Sequence, residues 1–211
     1  MVMIPKFTRC LEKTLCHFPR MAKLCMNYYN NIVKEEINLA QIKSEDHVLF
    51  IGGGAIPSTA YRIHQYTGAK IDVIDKDRCA VKLAKKLTGL LGLEESVKVF
   101  EADGKTIDTR KYSVILVALQ ACPHRDILEN ALGKAAPNTR VVTRCPAHGL
   151  QAFYESAPRD SRCYTNVQAM QGSPTMEASL LFIKNEGSGV DEKGHPVICR
   201  DSLDRAYRPV C

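Results

Sequence analysis

Apolar residues over the first 45 positions recur at helical spacing: Phe7, Leu11, Leu15 and Phe18, then Met21, Leu24, Cys25, Tyr28 and Ile32, with Glu36 continuing the row. Pro19 separates two helices there. After Ser44 the pattern changes to short β-branched runs alternating with helical stretches, the signature of parallel β-α units. Strands are predicted over His47 to Ile51, Lys70 to Ile74, Val97 to Phe100, Tyr112 to Ala118 and Thr139 to Thr143. Helices are predicted over Pro57 to Tyr66, Asp77 to Leu91 and His124 to Leu132. A short helix near Gly149 to Glu155 and two more strands, Tyr164 to Met170 and Ala178 to Ile183, complete the series.

The right-handed crossover rule makes the first five strands parallel. The last two are joined only by Gln171 to Met176 or so, too short for a crossover helix, so they are expected to form an antiparallel hairpin. The whole predicts an α/β fold: a doubly wound, seven-stranded, mostly parallel sheet over residues 46–185 with an antiparallel C-terminal hairpin. A short helical segment (1–45) precedes it and a turn-rich tail (186–211) follows.

Composition narrows the function classes. A chain of 211 residues, 45% hydrophobic and 25% charged, fits one soluble domain. The net charge is +6, but the cations are dispersed among acids, as in Asp75-Lys76-Asp77-Arg78, so no basic stripe forms and nucleic acid is not an expected partner. No signal peptide and no apolar run of about 18 residues is seen, which predicts a cytoplasmic protein without a membrane span. The nine cysteines include no C-x-x-C pair; Cys79, Cys122 and Cys145 fall in or beside regular elements as small apolar residues. His195, Cys199 and Cys211 match no zinc spacing, so no metal is expected. A homo-oligomer is compatible with all of this.

The chemistry is expected at the strand ends. Val48-Leu49-Phe50-Ile51 runs into Gly52-Gly53-Gly54 and then Pro57, placing three residues without side chains where backbone must approach a nucleotide. About 20 residues on, the second strand ends in Asp75, whose carboxylate is placed to accept from both ribose hydroxyls; Asp77 is the competing helix cap. The third strand ends in Asp103-Gly104, an acidic group for the adenine amine and a residue that lets the loop turn. With Ala118, which opens the loop after the fourth strand, these residues predict a site for S-adenosylmethionine rather than NAD, which seldom needs the second acid. The Asn/Asp-Pro-Pro-aromatic tetrapeptide of many amino-methyltransferases is missing from Ala118 to His124.

These residues resemble nicotianamine synthase and the related opine-metallophore aminobutanoyltransferases. The likeness lies in Phe50-Ile51-Gly52-Gly53-Gly54-Ala55-Ile56-Pro57, in Arg144-Cys145-Pro146-Ala147-His148-Gly149, and in Asn27-Tyr28 with Glu35 two turns on. The family's larger helical domain before the sheet is represented here by only about 45 residues. The resemblance implies metallophore-type biosynthesis: transfer of the 3-amino-3-carboxypropyl (aminobutanoyl) arm of S-adenosylmethionine to an amine or amino-acid acceptor. It implies Glu35 as general base, Tyr28 as a group that orients the acceptor or relays its proton, and Arg144 and His148 as acceptor-binding residues. A small-molecule methyltransferase, an intramolecular cyclisation of the same arm and a non-catalytic binding module remain open alternatives.

Overall fold

The structure is a computed structural model that describes residues 27–147, 164–170 and 175–184. Its elements in chain order are α1 (Asn30–Ala40), β1 (His47–Ile51), α2 (Ser58–Thr67), β2 (Lys70–Asp75), α3 (Arg78–Leu90), β3 (Val97–Glu101), β4 (Val114–Val117), α4 (His124–Lys134), β5 (Arg140–Pro146), β6 (Tyr164–Met170) and β7 (Met176–Lys184). They form a seven-stranded sheet in the order β3-β2-β1-β4-β5-β7-β6. Strands β1 to β5 pair in parallel, and β7 runs antiparallel to both β5 and β6. The part of the expected N-terminal helical segment before Asn27 and the expected helix near Gly149 to Glu155 lie outside the described residues.

Residues 48–51 of β1 and Val114–Val117 of β4 are apolar at every position because both faces of the sheet are covered. Val48 and Phe50 of β1 face one core with α1, α2 and α3, through Val33, Ala60, Tyr61, Val81 and Leu87. Leu49 and Ile51 face a second core built on α4, through Ile127, Leu128, Ala131 and Leu132. Burial of the Tyr61 hydroxyl, against a hydrogen bond with Thr88 at 2.9 Å that works the other way, pushes its pKa up to about 12.

The chain lays down β2 and β3 on one side of β1, then crosses to begin β4 on the other. That reversal between β1 and β4 opens a crevice at their carboxyl ends, where ligands bind in sheets of this type. Helix α1 runs against β5 in the opposite sense. Arg140, at the start of β5, donates from Nη1 to the carbonyls of Ala40 and Gln41 at 2.8 Å, while Tyr28, ahead of the helix, meets Thr175 just before β7. The N-terminal end of α1 therefore sits at the carboxyl edge of the sheet.

Candidate functional site

Three glycines turn the chain at the end of β1. Gly52 and Gly54 have φ of +86° and +63°, a region in which a side chain is strained. Gly53 is required by packing instead: a Cβ there would lie 2.2 Å from Cγ1 of Val73. The Gly52 and Gly53 N–H groups both donate to the Ile74 carbonyl, at 2.8 and 3.2 Å. A Cβ on Gly52 would approach Ala118 and Ala121 at 3.2 and 3.0 Å, so the crevice between β1 and β4 is lined on both sides by small residues.

Asp75 latches this loop. Its Oδ2 accepts from the Gly54 N–H and its Oδ1 from the Asp77 N–H, both at 2.9 Å. A carboxylate offers about four acceptor positions, so two remain for hydroxyl donors of a ligand. Asp77 caps α3, its carboxylate accepting from the Cys79 and Ala80 N–H groups, while Asp75 holds the glycine loop. At the end of β3, Asp103 accepts from the Lys105 N–H at 2.9 Å and is partly exposed. Gly104 beside it is fully enclosed: a Cβ would lie 2.7 Å from Cγ2 of Ile51. The bare backbone and half-buried carboxylates thus gather on the ends of three adjacent strands, a donor and acceptor set that fits an adenosine-bearing ligand.

The acceptor-side residues are distributed differently from one another. Tyr28 is exposed, stacks edge-on against Tyr29 with ring centroids 5.0 Å apart, and shares a hydrogen bond with the Thr175 hydroxyl at 2.8 Å. Glu35 lies on the same helical face but is exposed, and seven residues along α1 place it about 10 Å further from the carboxyl edge. The neighbouring Glu36 is the buried carboxylate. It forms a bidentate ion pair with Arg144, Nε to Oε1 and Nη2 to Oε2, both at 2.7 Å. Ser179 donates to its Oε1 at 3.0 Å, and Arg144 Nη2 also donates to the Thr59 hydroxyl at 3.0 Å. Burial works against the guanidinium's charge, but the Glu36 carboxylate holds its pKa above the ordinary arginine value. Arg144, expected to face an acceptor, instead binds α1 to β5 from inside. His148 lies outside the described residues.

No protein-family model matches the chain. An L-histidine 2-aminobutanoyltransferase of Yersinia pestis is 29% identical over 126 residues, which are 60% of this chain and 47% of that protein. The chain thus spans about half the length of that relative. In fold, a Glu-to-Gln variant of MtNAS, a nicotianamine synthase, in complex with S-adenosylmethionine matches with a TM-score of 0.71 at 22% identity, over 87% of this chain and 77% of that one. The chain resembles the nicotianamine synthase-like aminobutanoyltransferases. An RNA methyltransferase from Salinibacter ruber in complex with S-adenosyl-L-homocysteine shares the same sheet more distantly, with a TM-score of 0.56 at 19% identity over 74% of this chain.

Two groups at the site escape sequence reasoning. His124 is buried at the start of α4, with Nδ1 3.3 Å from the Ala121 carbonyl and Nε2 2.8 Å from the Thr143 hydroxyl. A carbonyl only accepts, so Nδ1 carries a proton, and the ring fixes the loop that faces Gly52. Glu177, near the start of β7, has one buried carboxylate oxygen. Among the described residues no group of three or more His, Cys, Asp or Glu side chains is placed to hold a metal, and no helix is long and apolar enough to cross a membrane.

Proposed function

We propose that the protein transfers the 3-amino-3-carboxypropyl arm of S-adenosylmethionine to the amine of a small molecule. The observation that carries this reading is the glycine cradle latched by Asp75 at the β1–β4 crevice, taken with sequence likeness to an L-histidine 2-aminobutanoyltransferase. Gly52, Gly53, Gly54, Asp75, Asp103, Gly104 and Ala118 form the nucleoside side of the site. L-Histidine, or an amino acid like it, is the acceptor that the relative's name suggests.

Bound there, S-adenosylmethionine supplies a sulfonium whose three attached carbons carry similar activation. Position decides which one reacts. For aminobutanoyl transfer the acceptor nitrogen forms a bond to Cγ of the methionyl arm as the S–Cγ bond breaks; methylthioadenosine leaves and the ammonium proton passes to a base. This chain's own residues hold the adenosine against bare backbone and fix the acceptor nitrogen on the far side of the sulfonium. Tyr28 stands at the correct edge for that second task. Glu35 is the base suggested by the family resemblance, and its distance along α1 makes it the part of the reading most open to replacement.

The experiment is product analysis after incubation with S-adenosylmethionine and mixed amino acids. Methylthioadenosine with an aminobutanoyl adduct is expected. Adenosylhomocysteine alone would establish methyl transfer instead, and neither product would leave a binding module.

A further inference from the structure

We infer that Glu177 is the anionic subsite for the cationic amine of the acceptor, a role that rests on the transfer reaction proposed above. Glu177 lies where the pairing of β7 with β5 changes register: Cys145 pairs with Ala178, but the next residue, Pro146, pairs with Met176. One residue of β7 is thus left over, and that residue is Glu177. Such an irregularity at the end of a strand pair re-aims a side chain away from the regular alternation. Its place is the carboxyl edge of the sheet, because β7 begins where β5 ends.

Two neighbours tie it to the acceptor side. Thr175, two residues before it, accepts the Ala147 N–H at 3.1 Å through its carbonyl and shares its hydroxyl with Tyr28. Ser179, two residues after it, reaches Glu36. In the chain Glu177 thus lies between the residue that meets Tyr28 and the residue that meets the buried ion pair, at the carboxyl edge of the sheet.

The decisive observation is its Oε2 atom, which is buried and meets no hydrogen-bond donor among the described residues. A carboxylate oxygen removed from water without a donor is the costly arrangement that buried acids otherwise avoid. Glu177 as a whole is only partly buried, and the fully buried acids described in this fold all have such donors: Glu36 has Arg144 and Ser179, Asp46 has Arg140, Ser113 and the Lys43 N–H, and Asp72 has Lys111 and Tyr112. An ammonium brings three donors and a positive charge, and would restore what Oε2 lacks. A carboxylate holding the ammonium is also positioned to take its proton, which leaves the nitrogen lone pair free for attack. Glu35, exposed and a full turn and more away from the edge, has neither property.

The methionyl arm of S-adenosylmethionine also carries an ammonium, so the test must separate the two amines. The full chain is titrated calorimetrically with S-adenosylmethionine, and then, in its presence, with L-histidine, with a panel of other L-amino acids, and with 3-(imidazol-4-yl)propionate, which is L-histidine without its α-amine. Glu177→Gln is expected to weaken binding of the bound amino acid at least tenfold while leaving the affinities for S-adenosylmethionine and the deaminated analogue within twofold. Retained S-adenosylmethionine binding certifies the fold of the variant. Unchanged amino-acid affinity, or an equal loss for the analogue, overturns the assignment of Glu177 and leaves the transferase reading standing. A loss confined to S-adenosylmethionine overturns it too, by giving the carboxylate to the other amine. A wild-type protein that binds S-adenosylmethionine and no amine in the panel overturns both.

Discussion

The two rims of the sheet treat their carboxylates in opposite ways. On the amino-terminal rim, Asp46 accepts from Ser113 at 2.7 Å, from the Lys43 N–H at 2.8 Å and from Arg140, while Asp72 has Lys111 at 3.0 Å, Tyr112 at 2.8 Å and His47 at 3.3 Å around one oxygen. Burial alone would raise both carboxyls, but these donors and cations outweigh it and hold their pKa values below the ordinary aspartate range. On the carboxyl rim, among the described residues, Asp75 accepts only backbone N–H groups and Asp103 likewise accepts from the Lys105 N–H, with the Lys105 ammonium 4.0 Å away. The saturated rim stabilises the fold, and the other keeps acceptor capacity for a ligand. Glu36 and Arg144 belong with the first group in character, although they lie closer to the second.

The sharpest way to break that division is to orphan a saturated group. Glu36→Gln leaves Arg144 buried without its counter-ion and is expected to cost about 3–5 kcal/mol in urea denaturation. Replacing both partners by methionine should cost less than either single change, because no isolated charge remains. Next in size is Gly53→Ala on the ligand rim. The new methyl collides with Val73, so a loss of about 1–3 kcal/mol is expected together with loss of measurable S-adenosylmethionine binding. Adding Val73→Ala should recover part of both.

The amino rim also sets the response to pH. Folded-state pKa values of Asp46 and Asp72 lie below their ordinary value of 3.8, so their stabilisation is complete above that pH and is lost as pH falls through the depressed values. Asp72→Asn should flatten this acid limb in urea titrations. Tyr112 acts at the other end: burial first, then the Asp72 carboxylate, push its hydroxyl up to about 12 from 10.0. Its contribution is whole below about pH 10 and disappears between about pH 10 and 12, a slope that Tyr112→Phe should reduce, with Tyr61 supplying the remainder. The smallest effect on stability is expected for Glu35→Gln, within about 0.5 kcal/mol, because the side chain is exposed. Turnover of that variant by product assay decides whether Glu35 takes part at all.

Much of the fold was legible because it depends on local patterns. The runs Val48 to Ile51 and Val114 to Val117 are apolar throughout, as strands covered on both faces must be, and Ile71 to Ile74 is interrupted only by Asp72. Gly52 to Gly54 was legible for the same reason, since a strand followed by residues without side chains has few other uses. Strand β5 extends to Pro146, beyond the expected Thr143, because antiparallel pairing with β7 continues the ladder past the parallel partner. The acceptor side was not legible. The apolar row puts Glu36 rather than Glu35 on the buried face, about 100° round the helix, but its partner Arg144 lies 108 residues away and has no local signature. The register change at Glu177 likewise has no signature in Met176-Glu177-Ala178, because it exists only in the pairing of two strands.

In mechanical terms α1 is a lever. Its far end is clamped where Arg140 grips the last carbonyls, and its fulcrum is the Glu36–Arg144 pair inside the protein. Its near end is fastened by hydrogen bonds open to water: Tyr28 to Thr175, Asn27 to Arg62 and Asn30 to Tyr66. Water can therefore compete for the bonds that fasten Tyr28 to the rim, while the pair that holds the middle of the helix is shut away from it.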